Sequence, residues 1–209
     1  MKRLVPVVVA LVLSLVAPLA HATEPTKPAA PAPAVVSDSL AILERLVARD
    51  STKFDNLYRI GLMYLDREKN TEAAQVFLKA NKLRPKDVKT MVNLGIALDN
   101  LSKSDWAQTF YKQAVAIAPL DSMASCRLAT SMYAQGKFTE SMDLLRDIIA
   151  RQPRAHCAYF TMGVAFADAG LYRDAIRMWK KVVALAPASP EAQSAKESVD
   201  VLERFLAGQ

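Results

Sequence analysis

Cys126 and Cys157 are the only cysteines of the 209-residue chain, and His156 stands directly before the second. These residue types could form a disulfide, remain as two reduced thiols, or join His156 as soft metal ligands. A metal set of Cys126, His156 and Cys157 offers three donors at best. No His-x-x-x-His or Cys-x-x-Cys spacing accompanies it, and with six glycines the chain has no Gly-rich phosphate loop. Carboxylates are plentiful but alternate with cations, as in Asp66-Arg67-Glu68-Lys69 and between Glu140 and Arg146. That mixture describes solvated helix faces, not paired general acids and bases. The expectation is a protein with no catalytic residue, no cofactor and no metal site.

The N-terminus carries a different kind of signal. Lys2 and Arg3 precede an apolar run over residues 4–20, interrupted by Pro6, Ser14 and Pro18. Ala20-His21-Ala22 then supplies a small-x-small cleavage pattern, so residues 1–22 read as a secretory signal peptide. The alternative is an uncleaved anchor at the short limit of a membrane span. Residues 23–37 are rich in proline and alanine and read as a disordered linker. Loss of Lys2 and Arg3 lowers the net charge from +6 to +4. The remaining cations form no basic stripe with interleaved aromatics, so no nucleic-acid partner is expected. After cleavage no integral membrane span is expected, and the location is exported, periplasmic or extracellular.

The elements that must carry these residues repeat. Pro85, Pro119, Pro153 and Pro187 recur every 34 residues. The same step links the small residues Gly61, Gly95, Ala129 and Gly163, and again Ala73, Ala107, Ser141 and Ala175. It links the large residues Phe77, Tyr111, Leu145 and Trp179, and also Tyr64, Leu98, Met132 and Phe166. A small residue facing a large one lets two helices approach closely. Proline removes a donor and disfavours helix in the residue before it, which ends each second helix.

These columns resemble the tetratricopeptide repeat family, whose unit is a 34-residue helix–turn–helix. The resemblance covers residues 54–187. It departs from the pattern at the early Trp position, which holds Leu57, Met91, Ser125 and Tyr159, and most in the third repeat, with Ser125, Ala129, Ser141 and Ile148. It implies an all-α fold, a right-handed α-solenoid of hairpins at 54–87, 88–121, 122–155 and 156–189. First helices are expected near 54–67, 88–101, 122–135 and 156–169. Second helices are expected near 71–83, 105–117, 139–151 and 173–185. Capping helices complete it. One lies within 38–53, where Leu40, Leu43, Leu46 and Val47 give a helical period over 38–49. The other lies within 190–209, where Ser189-Pro190-Glu191 starts a helix and Ala195, Val199, Leu202 and Leu206 form one stripe.

In the family the first helices line a concave face that binds a protein or peptide segment. Carrying that register over places Tyr58, Leu62, Leu65, Val92, Ile96, Met123, Tyr133, Phe160 and Val164 on such a face, an apolar stripe suited to an extended or amphipathic segment. The alternative is that the stripe packs against itself or against the terminal helices. The Lys, Asn and Arg with which chaperone-binding members clamp a carboxylate are replaced by Leu, Val, Ile and Thr, so that mode is not expected. Cys126 and Cys157 fall on first helices of successive repeats. Export favours a disulfide between them, and reduced groove thiols remain the alternative. The resulting expectation is a non-catalytic interaction scaffold, with assembly of an envelope complex as its setting. A chaperone-like holder of exported clients and a Cys/His-based redox or metal accessory are the alternatives. The partner's identity and the oligomeric state are not encoded in any motif.

Overall fold

The computed structural model describes residues 35–208, so the expected signal peptide and residues 23–34 of the expected linker lie outside it. All regular structure among the described residues is α-helical, as ten helices. Those residues divide into two compact units, 35–131 and 132–208, with one helix running across the division.

The first unit opens with α1 (Val35–Arg49), followed by α2 (Phe54–Asp66) and α3 (Asn70–Leu83). Helix α1 begins at Val35, inside the stretch 23–37 expected to be linker. Pro33 is the last proline of that stretch, so the sequence after it holds no residue that forbids a helix. Leu40 and Leu43 of α1 are buried against Leu57 and Ile60 of α2 and Val76 and Ala80 of α3. α4 (Val88–Asn100) and α5 (Ser104–Ile117) make the next hairpin, and α6 (Ser122–Ala134) runs into the second unit.

Close approach within each hairpin of the first unit depends on glycine. A Cβ on Gly61 would lie 2.6 Å from two ring carbons of Phe77. A Cβ on Gly95 would overlap the ring of Tyr111 in the same way. Both rings are almost fully buried, so they have no free volume to retreat into.

The second unit comprises α7 (Phe138–Arg151), α8 (His156–Asp168), α9 (Tyr172–Leu185) and α10 (Pro190–Ala207). Gly163 of α8 receives the indole of Trp179 from α9, whose Nε1 also donates to the backbone oxygen of Phe160 at 3.3 Å. Ala175, Trp179 and Val182 of α9 form one core with Ala192, Ala195, Val199 and Leu202 of α10. Ser189 caps α10 by accepting from the amide of Ala192 at 3.1 Å, with Pro190 in the first turn.

Both kinds of turn keep the 34-residue step. The chain leaves each first helix through a left-handed residue: Glu68 (φ 57°), Ser102 (φ 59°), Gly136 (φ 78°) and Gly170 (φ 75°). In each case two amides satisfy the last carbonyls of the helix. Lys69 N–H donates to the oxygen of Tyr64 at 2.8 Å and Glu68 N–H to that of Leu65 at 3.0 Å. The pairs Lys103–Leu98, Lys137–Met132 and Leu171–Phe166 repeat the first of these bonds. Each second helix ends in a β-turn with proline at its second position, closed by Asp87, Asp121, Ala155 and Ser189 donating to Arg84, Ala118, Gln152 and Ala186. Asp87 then caps α4, accepting from the amide of Thr90 at 2.8 Å, and Asp121 caps α6, accepting from that of Ala124 at 2.9 Å.

Candidate partner-binding face

In the first unit the expected face is drawn from α2, α4 and α6. Phe54 stacks on Tyr58 with ring centroids 5.9 Å apart, and Tyr58 meets Phe77 edge-on at 6.0 Å. The amide nitrogen of Asn93 on α4 donates to the Tyr58 hydroxyl at 3.1 Å, which ties α2 to α4. Burial raises the Tyr58 phenol above its usual value, against the bond from Asn93 that lowers it, while the Asp87 charge adds to the rise. Tyr58 is therefore a neutral, oriented side chain at any physiological pH.

Solvent access along the expected stripe is uneven. Leu62 is 39% exposed and Met123 is 42% exposed. Leu65 and Ile96 are half-buried. Val92 is buried at 6% exposure and works as core. Asp99, in line with these positions on α4, accepts from the Tyr111 hydroxyl at 3.0 Å and from the Ser131 hydroxyl at 3.1 Å. Its charge is thereby held by the protein's own donors, and burial together with Asp99 pushes the Tyr111 phenol far up. Nearby Arg127, whose charge opposes that rise, has a buried Nε without a hydrogen-bond partner among the described residues.

The second unit holds the remaining positions. Tyr133 donates to Asp168 at 2.7 Å and packs edge-on against Phe138 at 5.1 Å. Its phenol is raised mainly by burial and then by the Asp168 bond and charge. Phe160 and Val164 are half-buried and packed against the core that α9 and α10 share. These two residues are therefore less open than Leu62 and Met123. Of the expected stripe, the exposed positions Leu62 and Met123 are both in the first unit.

Cys126 and Cys157 are both disulfide-bonded, and neither is a free thiol. The imidazole of His156 lies 4.0 Å from the carboxylate of Glu191 at the start of α10. Among the described residues no group of three or more His, Cys, Asp or Glu side chains is placed to hold a metal ion. Among them, too, no helix is long and apolar enough to cross a membrane. The ties that sequence reading missed are Tyr58–Asn93 and the Asp99 cluster, since polar partners about one repeat apart leave no mark on hydrophobic periodicity.

Residues 54–87 match the tetratricopeptide repeat family, and residues 125–155 match a second tetratricopeptide repeat description. No curated protein matches the sequence. Among solved structures the chain is similar to a thermophilic tetratricopeptide protein of Thermus thermophilus, TTC0263, at 13% identity and TM-score 0.66, covering 78% of this chain and 90% of that one. It is similar to the crystal structure of MamA at 19% identity and TM-score 0.61, over 72% of this chain and 88% of that one. It is also similar to YrrB, described as a tetratricopeptide protein with an unusual peptide-binding site, at 22% identity and TM-score 0.57, over 78% and 84%. At these identities the likeness is one of fold, an all-α solenoid of helical hairpins. Two stretches of the chain thus match tetratricopeptide repeat descriptions, and the structural neighbours share its fold.

Proposed function

We propose that the protein is an exported, non-catalytic scaffold that binds an extended or amphipathic segment of a partner protein on the first unit, in the service of an envelope assembly. The observation that carries this reading is the exposure of Leu62 and Met123 beside half-buried Tyr58, Leu65 and Ile96 on first helices of the hairpins. Apolar side chains left open along the first helices of the hairpins suit an apolar partner surface. The Tyr58–Asn93 bond supports it further, because a preoriented aromatic loses little entropy on binding. Tetratricopeptide proteins in general bind protein or peptide partners and are non-catalytic, and the YrrB description names a peptide-binding site. Export is supported by the signal-like residues 1–22 and by two oxidised cysteines, which suit an oxidising compartment.

The test is a crosslinked pull-down of the processed protein from its own cells, with the Leu62→Asp/Met123→Asp variant as the comparison. Both positions are exposed, so the variant should fold as before and lose the partner. An unchanged set of captured proteins would refute the binding face. Capture of many unrelated exported chains, in place of one defined protein, would convert the scaffold into a holder of unfolded clients. Reduced cysteines and an unprocessed N-terminus in protein taken from its own cells would refute export.

A further inference from the structure

We propose that the first and last helices, α1 and α10, are complementary and join copies of this chain head to tail. The residues involved are other than those of the partner-binding face. Helix α1 buries Leu40 and Leu43, and its opposite side presents Ile42, Arg45, Leu46 and Arg49 at the i, i+3, i+4, i+7 spacing of one helical stripe. Ile42 is 54% exposed and Leu46 is 42% exposed. Glu44 is turned away from that stripe to accept from the Tyr64 hydroxyl at 3.1 Å. Among the described residues neither Arg45 nor Arg49 has an ion-pair partner, so the stripe over residues 42–49 is apolar with two unpaired positive charges.

Helix α10 has the opposite character. It buries Ala192, Ala195, Val199 and Leu202, and presents Glu197, Val201 and Phe205 at steps of four with Asp200 alongside. Val201 and Phe205 are each 43% exposed, with Tyr172 meeting Phe205 edge-on at 5.4 Å. Glu203 is bound by Lys180 at 2.7 Å. Glu197 accepts from the neutral amide of Gln193, and Arg204 donates to the backbone oxygen of Asp200, not to its carboxylate. The Arg204 charge offsets part of the stripe's negative charge, but the carboxylates of Glu197 and Asp200 have no salt bridge among the described residues.

These charges favour a second copy of the chain as the occupant. Pairing α1 with α1 would bring four guanidinium groups together, and pairing α10 with α10 would set four carboxylates against only two Arg204 guanidinium groups. Pairing α1 with α10 sets Arg45 and Arg49 against Glu197 and Asp200 while joining Ile42 and Leu46 to Val201 and Phe205. Like-charge juxtaposition acts against the symmetric contacts and leaves the heterologous one, which can propagate from copy to copy. One helix pair buries less than the roughly 1,000 Å² of a stable complex, so assembly should be weak, concentration-dependent and sensitive to salt.

Sedimentation velocity of the untagged full chain, purified from its own cells, tests this. The weight-average mass should rise with concentration, and less so at high salt. Leu46→Asp spoils the α1 stripe and Val201→Lys the α10 stripe, each at an exposed position. Each variant alone should lose self-association by about tenfold or more, and a mixture should form a one-to-one dimer and nothing larger, because each keeps one intact face. Circular dichroism and melting unchanged from the parent show that the variants are folded. Monomers at every concentration, as when another segment or another protein covers α1, overturn the proposal. So does assembly that survives either substitution, or a mixture that stays monomeric.

Discussion

Replacing Gly61 with alanine tests the packing rule on which every hairpin of the first unit depends. The new methyl would lie 2.6 Å from Cε1 and Cζ of Phe77, a ring with no exposed surface. Overpacking of this kind costs about 1–3 kcal/mol. Alanine in place of glycine inside a helix returns about 1 kcal/mol. A contact this short belongs near the top of the overpacking range, so the net loss should be about 1–2 kcal/mol. Phe77→Leu alone removes buried volume and should cost about 1–2 kcal/mol. In the double variant the methyl fills space that the ring has left, so its loss should fall short of the sum by about 1 kcal/mol or more. The sequence already contains this combination, since Ala129 and Leu145 occupy the same two columns in residues 122–155, and both are fully buried. Urea unfolding followed by circular dichroism reads the cycle through shifts in midpoint at constant slope. Additivity within about 0.3–0.5 kcal/mol would mean that Gly61 and Phe77 are not coupled, and the size-matching argument would fail.

Three other outcomes are expected. Glu68→Gly and Ser102→Gly should each stabilise the protein by up to about 1 kcal/mol in thermal melts, because both residues hold the left-handed conformation that Gly136 and Gly170 adopt freely; a lower melting point for both would refute this. Asp87→Ala should cost about 1–2 kcal/mol in urea, since it removes the cap on the Thr90 amide and leaves the fully buried Thr90 hydroxyl, now 2.6 Å from that carboxylate, without its acceptor. An unchanged urea midpoint would remove Asp87 as a cap. Stability should also decline at alkaline pH. The Tyr64 phenol is pushed up to about 12 by burial, its bond to Glu44 and nearby charge, and those of Tyr111 and Tyr133 are raised further. Because the folded values lie above the unfolded one of about 10, their contribution is complete below pH 10 and is lost as pH rises through the folded values. Melting temperature against pH should therefore be level to about pH 10 and then fall, less steeply in Tyr64→Phe. An unchanged slope in that variant would remove Tyr64 from the account.

How much of this could be read in the chain differs from residue to residue. The columns of proline and of small and large residues mark where helices begin, end and touch. Gly61 and Phe77 can be paired from the sequence because both belong to one hairpin and sit at a fixed separation. The left-handed exits at Glu68 and Ser102 could have been found from the same register, since Gly136 and Gly170 share their column, but neither residue type announces that conformation.

The binding face was legible only as a direction. Periodicity assigns Leu62, Val92 and Phe160 to equivalent sides of their helices, and the sequence treats them alike. The structure separates them: Leu62 is open, Val92 is core, and Phe160 packs on the core shared by α9 and α10. The cause is that helical phase is set by neighbours three and four residues away, whereas exposure is set by whichever helix packs on that side. The same holds for charge. Asp99, in line with the stripe on α4, is bound by Tyr111 and Ser131, 12 and 32 residues away. The sequence by itself determined the helical hairpins and their step, because these follow from local residue size and backbone preference. Which apolar and charged side chains stay available to a partner was decided by tertiary packing alone, because solvent access is a property of contacts between segments distant in the chain.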